Sequence, residues 1–294
     1  MIQKSFYLFG LALITSCNPR NNENANDVDK SSTTNQAINF KSGYSDVNGI
    51  KMYYEVYGQG EPLVLIHGGG STIQTSFGRI IPNLAKDFTL IAVELQNHGL
   101  TDARNTVETF EQDADDVALL LKNLGIAKAS FFGFSNGGHT AMQISLRHPE
   151  IVHKLVIASS PCKRNGFPPG FFNGMQQATL DNMPQELKTA FLKVNPDSAR
   201  LQIMFERDRD RMINFKDWSD EQIKSIAAPT LLIDGDTDVM TPEHAVEMYR
   251  LIPNSQLAII PGGHGKYMGE ITTLSKSNPF VDFSTPLIKE FLNR

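Results

Sequence analysis

The sequence predicts an α/β fold built on a mostly parallel sheet, and three observations carry that expectation. Short continuous apolar runs, such as Pro62 to Ile66 and Thr230 to Ile233, alternate with longer stretches of helical spacing. This is the pattern of strands buried on both faces, with helices packed over them. The runs end in glycine-rich turns. Three of these turns carry, in chain order, a serine (Ser135), a pair of acids (Asp236 and Asp238) and a histidine (His264). In an open parallel sheet, sites are built at the carboxyl ends of the strands.

Taken in order, the elements begin outside that fold. Residues 1–17 place Lys4 before the apolar run Phe6 to Ile14 and the small residues Thr15-Ser16 before Cys17. A short apolar segment after a positive charge reads as an export signal, and it is too short to span a bilayer. Its end resembles a bacterial lipoprotein cleavage site, which implies lipidation of Cys17. A plain export signal is the alternative. Residues 18–40 are rich in Asn, Ser, Thr and Asp, too poor in apolar groups to fold, and read as a tether. Residues 41–294 then form one domain. Ile50 to Tyr57 alternates and reads as an antiparallel edge strand. Pro62 to Ile66 is a buried parallel strand, and Thr89 to Glu94 is the next.

Thr109 to Leu124 has helical spacing, acids in its first turns and Gly125 after its end. Lys128 to Phe132 is a strand leading to Ser135. Asn136 to His148 is a helix stopped by Pro149, and His153 to Ala158 is again a strand. From about 162 to 228 no buried strand appears. That stretch is rich in Phe and Met, holds the one Trp, Trp218, and carries the charge run Glu206 to Arg211. The run reads as a solvated helix face with i,i+4 pairs. Thr230 to Asp234 and Ser255 to Ile260 are strands around a helix from Pro242 to Leu251, which Thr241 and Pro242 start well. Phe280 to Leu292 is a closing helix.

The chemistry lies in Gly133-Phe134-Ser135-Asn136-Gly137, where a strand runs directly into a helix. A serine at so sharp a turn is held in strained backbone geometry with its hydroxyl clear of the sheet. The helix that follows points its free N–H groups at the same spot. Upstream, His67-Gly68-Gly69-Gly70 leaves further N–H groups uncovered at a strand end. These could form one half of an oxyanion hole, with the N–H of Asn136 as the other. The histidine, His264, would act as base, and a carboxylate would fix its tautomer; on the residues alone Asp238 and Asp236 both compete for that role.

On these motifs the chain resembles the α/β-hydrolase superfamily from about Tyr44 to its end. The motifs are His67-Gly68-Gly69-Gly70, Glu94 to Asp102, Gly133 to Gly138, Gly235 to Asp238 and Gly263-His264. The resemblance implies an eight-stranded, mostly parallel sheet flanked by helices, with the 162–228 segment as a helical lid. It implies Ser135 as nucleophile, His264 as base, Asp238 as the acid, and Gly69 and Asn136 as oxyanion donors. It implies a small-molecule ester substrate, most simply an apolar carboxylic ester. Relatives use the same triad on lactones, thioesters or carbon–carbon bonds. A serine at the elbow argues against epoxide hydrolase and haloalkane dehalogenase chemistry, which uses an aspartate there. The chain departs from the common pattern at Glu94, Gln96, Asn97 and Thr101, where Gln96 and Asn97 are expected to line the entrance differently.

Composition excludes other classes. With 294 residues, 40% hydrophobic and 20% charged, the chain is of ordinary globular composition. A net charge of −5 and no basic run argue against nucleic acid. None of the seven histidines stands in a metal-ligand spacing, and no cofactor is expected. Cys162 lacks the elbow context and reads as a small buried apolar residue. The expected location is export to a bacterial membrane, on the periplasmic or surface face, through a lipid anchor at Cys17. A low-turnover ligand-binding protein on the same fold is the alternative of another class.

Overall fold

The computed structural model describes residues 39–274 and 279–294. The export segment, Cys17 and the tether up to residue 38 lie outside the described residues. Phe40, expected at the tether's end, instead opens the first strand.

Eight strands form one sheet: β1 (Phe40–Val47), β2 (Ile50–Tyr57), β3 (Glu61–Ile66), β4 (Phe88–Val93), β5 (Ala129–Phe134), β6 (Val152–Ala158), β7 (Thr230–Gly235) and β8 (Ser255–Ile260). Their order is β1-β2-β4-β3-β5-β6-β7-β8. The pairings β1–β2 and β2–β4 are antiparallel, and the rest are parallel. The sequence therefore placed β2 correctly as antiparallel but wrongly at the edge. The edge strand is β1, joined to β2 by a two-residue hairpin at Asn48 (φ 42°) and Gly49 (φ 88°). Asn-Gly is the turn that tolerates positive φ at both positions.

Alternate residues of the central strands face opposite ways. Val64 and Ile66 of β3 face the side of the sheet whose core cluster also takes in buried residues of α3 (Phe110–Asn123), α4 (Asn136–Arg147) and α9 (Pro242–Leu251). Leu63 and Leu65 face α1 (Ile73–Phe77), α2 (Ile81–Leu84) and α10 (Pro279–Asn293). The helix read at Thr109 begins one residue later, because Thr109 is its N-cap and accepts from the Gln112 N–H.

Between β6 and β7 the chain forms only helices, chiefly α5 (Phe171–Gln177), α6 (Gln185–Val194), α7 (Ser198–Ile213) and α8 (Asp220–Lys224). Met183, Phe191, Leu201 and Met204 give this segment a small core of its own. Phe167, Met212, Phe215 and Trp218 join the main core instead. The aromatic residues of this stretch thus serve mainly to bind it to the sheet domain.

Candidate active site

Strand β5 is buried along its whole length and turns at Ser135 (φ 54°, ψ −122°) straight into α4. Positive φ on a serine costs on the order of 1–3 kcal/mol and persists only where the surroundings over-determine it. Here they do. The Ser135 N–H donates to Ala158 O at 2.8 Å, and its carbonyl accepts from Gly138 N at 2.9 Å and Ser160 Oγ at 2.7 Å. The turn also needs its glycines. A Cβ on Gly133 would stand 2.1 Å from the Gly137 carbonyl oxygen, and one on Gly137 would stand 2.0 Å from that of Ile66.

Strand β7 delivers the acids. Asp238 is buried, and its Oδ1 lies 2.6 Å from His264 Nδ1 and accepts the Val239 N–H at 2.6 Å. Its Oδ2 accepts from Ser159 Oγ at 2.6 Å and from the Gly235 N–H at 3.2 Å. Burial alone would push this carboxyl up, but the bonds from His264, Ser159 and Val239 outweigh it and hold the pKa below the usual carboxylate range. Asp236 does something else: its Oδ1 accepts the Gly262 N–H at 2.7 Å and so pins the loop that presents His264. An ionised Asp238 can only accept, so His264 carries a proton on Nδ1, the tautomer that in the neutral ring leaves the lone pair on Nε2. The imidazole rests against the Phe134 ring, 4.6 Å between centroids.

A further acid sits behind this pair. Asp234 is fully buried and its oxygens have no hydrogen-bond partner among the described residues. Burial, then the neighbouring charge of Asp238, pushes its carboxyl up to about 9, so it is an uncharged acid at neutral pH.

The glycine loop after β3 holds the largest departure from expectation. The Glu206 to Arg211 run is not a solvated face throughout: Asp208 and Arg211 are buried. The signal was present, since Leu201, Met204, Asp208 and Arg211 recur at the three- and four-residue spacing of one helix face. Asp208 Oδ2 accepts the Gly70 N–H at 2.6 Å and lies 2.8 Å from His98 Nε2. Its Oδ1 accepts from Arg211 Nη2 at 2.5 Å and from Asn136 Nδ2 at 3.3 Å. Arg211 in turn donates to Asp113 at 2.6 Å.

Gln96 and Asn97 do not line the entrance. Both are buried: Gln96 donates to Asp113 and accepts from Arg104, each at 2.8 Å, and Asn97 donates to Glu108. The ions collected beneath this loop need such partners once removed from water. His98 faces acceptors with both nitrogens, Gln96 O at 2.9 Å and Asp208, which fits an imidazolium. Burial opposes that charge, but Asp208 overcomes it and the pKa rises to about 9. His67, 4.7 Å away between ring centroids, is neutral. Its Nδ1 donates to Gly68 O at 2.7 Å and its Nε2 accepts the Leu95 N–H at 3.1 Å. Burial, then the His98 charge, pushes it down to about 3.

Ser135 and His264 open into one cavity of about 350 Å³, together with Gly69, Gly70 and Asn136. Its walls are largely apolar: Phe167, Phe171, Met175, Met183, Phe205 and Met212, all from the helical segment. The structure therefore brings Ser135, Asp238, His264, Gly69 and Asn136 to one place. Cys162 lies elsewhere, buried, with Sγ 3.5 Å from His244 Nε2. Burial pushes its thiol up to about 12, which leaves it protonated and inert.

Comparison with known proteins agrees with this architecture. Residues 61–198 match the family described as alpha/beta hydrolase fold. The serine hydrolase BPHL of Homo sapiens is 27% identical over 246 residues, covering 78% of this chain and 83% of that protein. A serine hydrolase involved in carbazole degradation superposes with a TM-score of 0.71 at 23% identity, over 87% of this chain and 99% of that one. Est816, described as an N-acyl homoserine lactone degrading enzyme, superposes with a TM-score of 0.66 at 25% identity, over 85% and 100%.

Proposed function

We propose that this chain, an enzyme of the α/β-hydrolase superfamily, cleaves small apolar carboxylic esters through Ser135, His264 and Asp238. One observation carries the reading. A strained serine and a histidine oriented by a buried carboxylate line the same mostly apolar cavity.

In the reading, Ser135 Oγ attacks the ester carbonyl carbon while its proton passes to His264 Nε2. The carbonyl oxygen becomes an oxyanion, received by the backbone N–H groups of Gly69 and Asn136. Two arguments support these donors. Asn136 is the first residue of α4, so its N–H has no carbonyl a turn back to bond. The Gly70 N–H, by contrast, is already spent on Asp208. The imidazolium then protonates the leaving alkoxide, which departs as the alcohol and leaves an acyl-Ser135. Water, deprotonated by the same nitrogen, attacks the acyl carbon and releases the acid, and Ser135 recovers its proton. Asp238 stays ionised throughout and steadies the imidazolium.

The helical segment 162–228 acts in this reading as a lid whose phenylalanines and methionines receive the acyl group and exclude water. Ser135→Ala should lower kcat on p-nitrophenyl butyrate by about three powers of ten or more with folding intact. A variant that keeps near wild-type turnover would refute the assignment.

The proposed setting is a bacterial membrane, with Cys17 lipidated and residues 18–40 as the spacer. The support is the sequence before the domain: a charge, a short apolar run and small residues directly ahead of a cysteine. Metabolic labelling with a fatty-acid probe in a bacterial host should tag the full chain and spare Cys17→Ala. Equal labelling of both would remove the anchor.

A further inference from the structure

Asp208 belongs to α7, on the helical segment, yet its carboxylate reaches both sides of the proposed oxyanion hole. Oδ2 takes the N–H of Gly70, the residue after one proposed donor, at 2.6 Å. Oδ1 takes the side-chain amide of Asn136, whose backbone is the other, at 3.3 Å. The three groups pack closely: a Cβ on Gly69 would stand 2.5 Å from Asn136 Nδ2 and 3.3 Å from the Asp208 carboxyl carbon. A bare carboxylate this close to a developing oxyanion would oppose catalysis. Here two cationic partners offset it, Arg211 at 2.5 Å and His98 at 2.8 Å. These pairings reduce the negative charge that Asp208 presents to the reaction it borders, although Arg211 is shared with Asp113.

We propose that Asp208 is a positioning residue of the oxyanion hole. It clamps the Gly69-Gly70 loop to the start of α4, so that the two donors converge only with α7 seated on the sheet domain. The inference rests on the reading of Gly69 and Asn136 as donors. It makes the helical segment part of the catalytic assembly and not only a roof over the cavity.

Asp208→Asn keeps the shape but leaves one oxygen to serve the donors that two now serve. It should lower kcat on p-nitrophenyl butyrate by about 10- to 100-fold, with KM within about threefold, because a misplaced donor loses stabilisation made only in the transition state. The affinity of an alkyl boronic acid, which forms a tetrahedral adduct on serine, should fall in parallel. Arg147→Gln breaks an ion pair with Asp115 at the far end of α4, which shares no partner with the Asp208 network. It should lower the melting temperature and leave kcat within about twofold, as expected for a merely structural loss.

A folded Asp208→Asn with wild-type kcat, or an Arg147→Gln that loses kcat in step with its stability, overturns the proposal. Should Asp208→Asn not fold, Asn136→Ala removes one arm of the clamp while keeping the backbone donor. A severalfold fall in its kcat supports the clamp, and an unchanged kcat refutes it. Ester turnover and Ser135 acylation in the unaltered protein test the underlying reading separately. A wild type lacking both would overturn that reading and this inference together, whereas a competent wild type with an indifferent Asp208→Asn overturns only this one.

Discussion

His67 and His98 stand against each other in the same buried loop, yet their partners demand opposite protonation states. His98 gives both N–H groups to acceptors, and His67 gives one and receives one. His98 should therefore titrate near pH 9 and His67 should stay neutral down to about pH 3, which NMR of the imidazole resonances can follow. The sign for stability follows. The folded pKa of His98 lies above its ordinary 6.5, so its contribution is complete below about pH 6.5 and is lost as pH rises through about 9. Asp208 is shifted downward from 3.8, so its contribution is present above about pH 4 and is lost on acidification. The pair should thus support stability fully only between about pH 4 and pH 6.5. Melting temperatures measured across pH 4 to 10 should decline above neutrality, and His98→Gln should flatten that decline. An equally steep decline in the variant would show that the pair is not its source.

Helix α7 shows where the sequence was legible and where it was not. Its helical character was read from the charge run and from the resemblance, but six consecutive residues of alternating charge suggested exposure, and charge is a poor guide where ions meet partners from distant parts of the chain. The partners of Asp208 and Arg211 lie some hundred positions away, at His98 and Asp113. The strands and their glycine turns were legible because continuous apolar runs have few alternative placements. Strand β1 was missed because its burial alternates only near its end, although Asn48-Gly49 marked the hairpin. Helix α3 was legible to within a residue at either end, though Thr109 proved to be its cap and not its first residue. Thr109→Ala should cost about 1 kcal/mol, because the Gln112 N–H loses its acceptor at 3.1 Å. Chemical denaturation would read this as a lower midpoint at unchanged slope, and a midpoint equal to that of the wild type would mean the cap contributes nothing.

Across the whole molecule, a single sheet gathers residues that are far apart in sequence. Ser135, Asp238 and His264 follow β5, β7 and β8, three parallel strands whose carboxyl ends share one edge. That convergence could be read from chain order alone, since each residue ends a strand of the same direction. What chain order could not supply was the choice between Asp236 and Asp238 by contact. Both lie in one tight turn, and only the folded loop sends one to Gly262 and the other to His264. Nor could it supply the tie between the helical segment and the glycine loop, which depends on how that segment is seated.

The decisive experiment is to treat residues 39–294, and the same protein carrying His264→Ala, with a fluorophosphonate, and to map the modified side chain by mass spectrometry. An activated serine predicts rapid, stoichiometric labelling confined to Ser135, slowed by about three powers of ten or more without His264. Labelling that is absent from the folded protein, falls on another residue, or is indifferent to His264 would contradict the assignment of Ser135 and His264 as nucleophile and base.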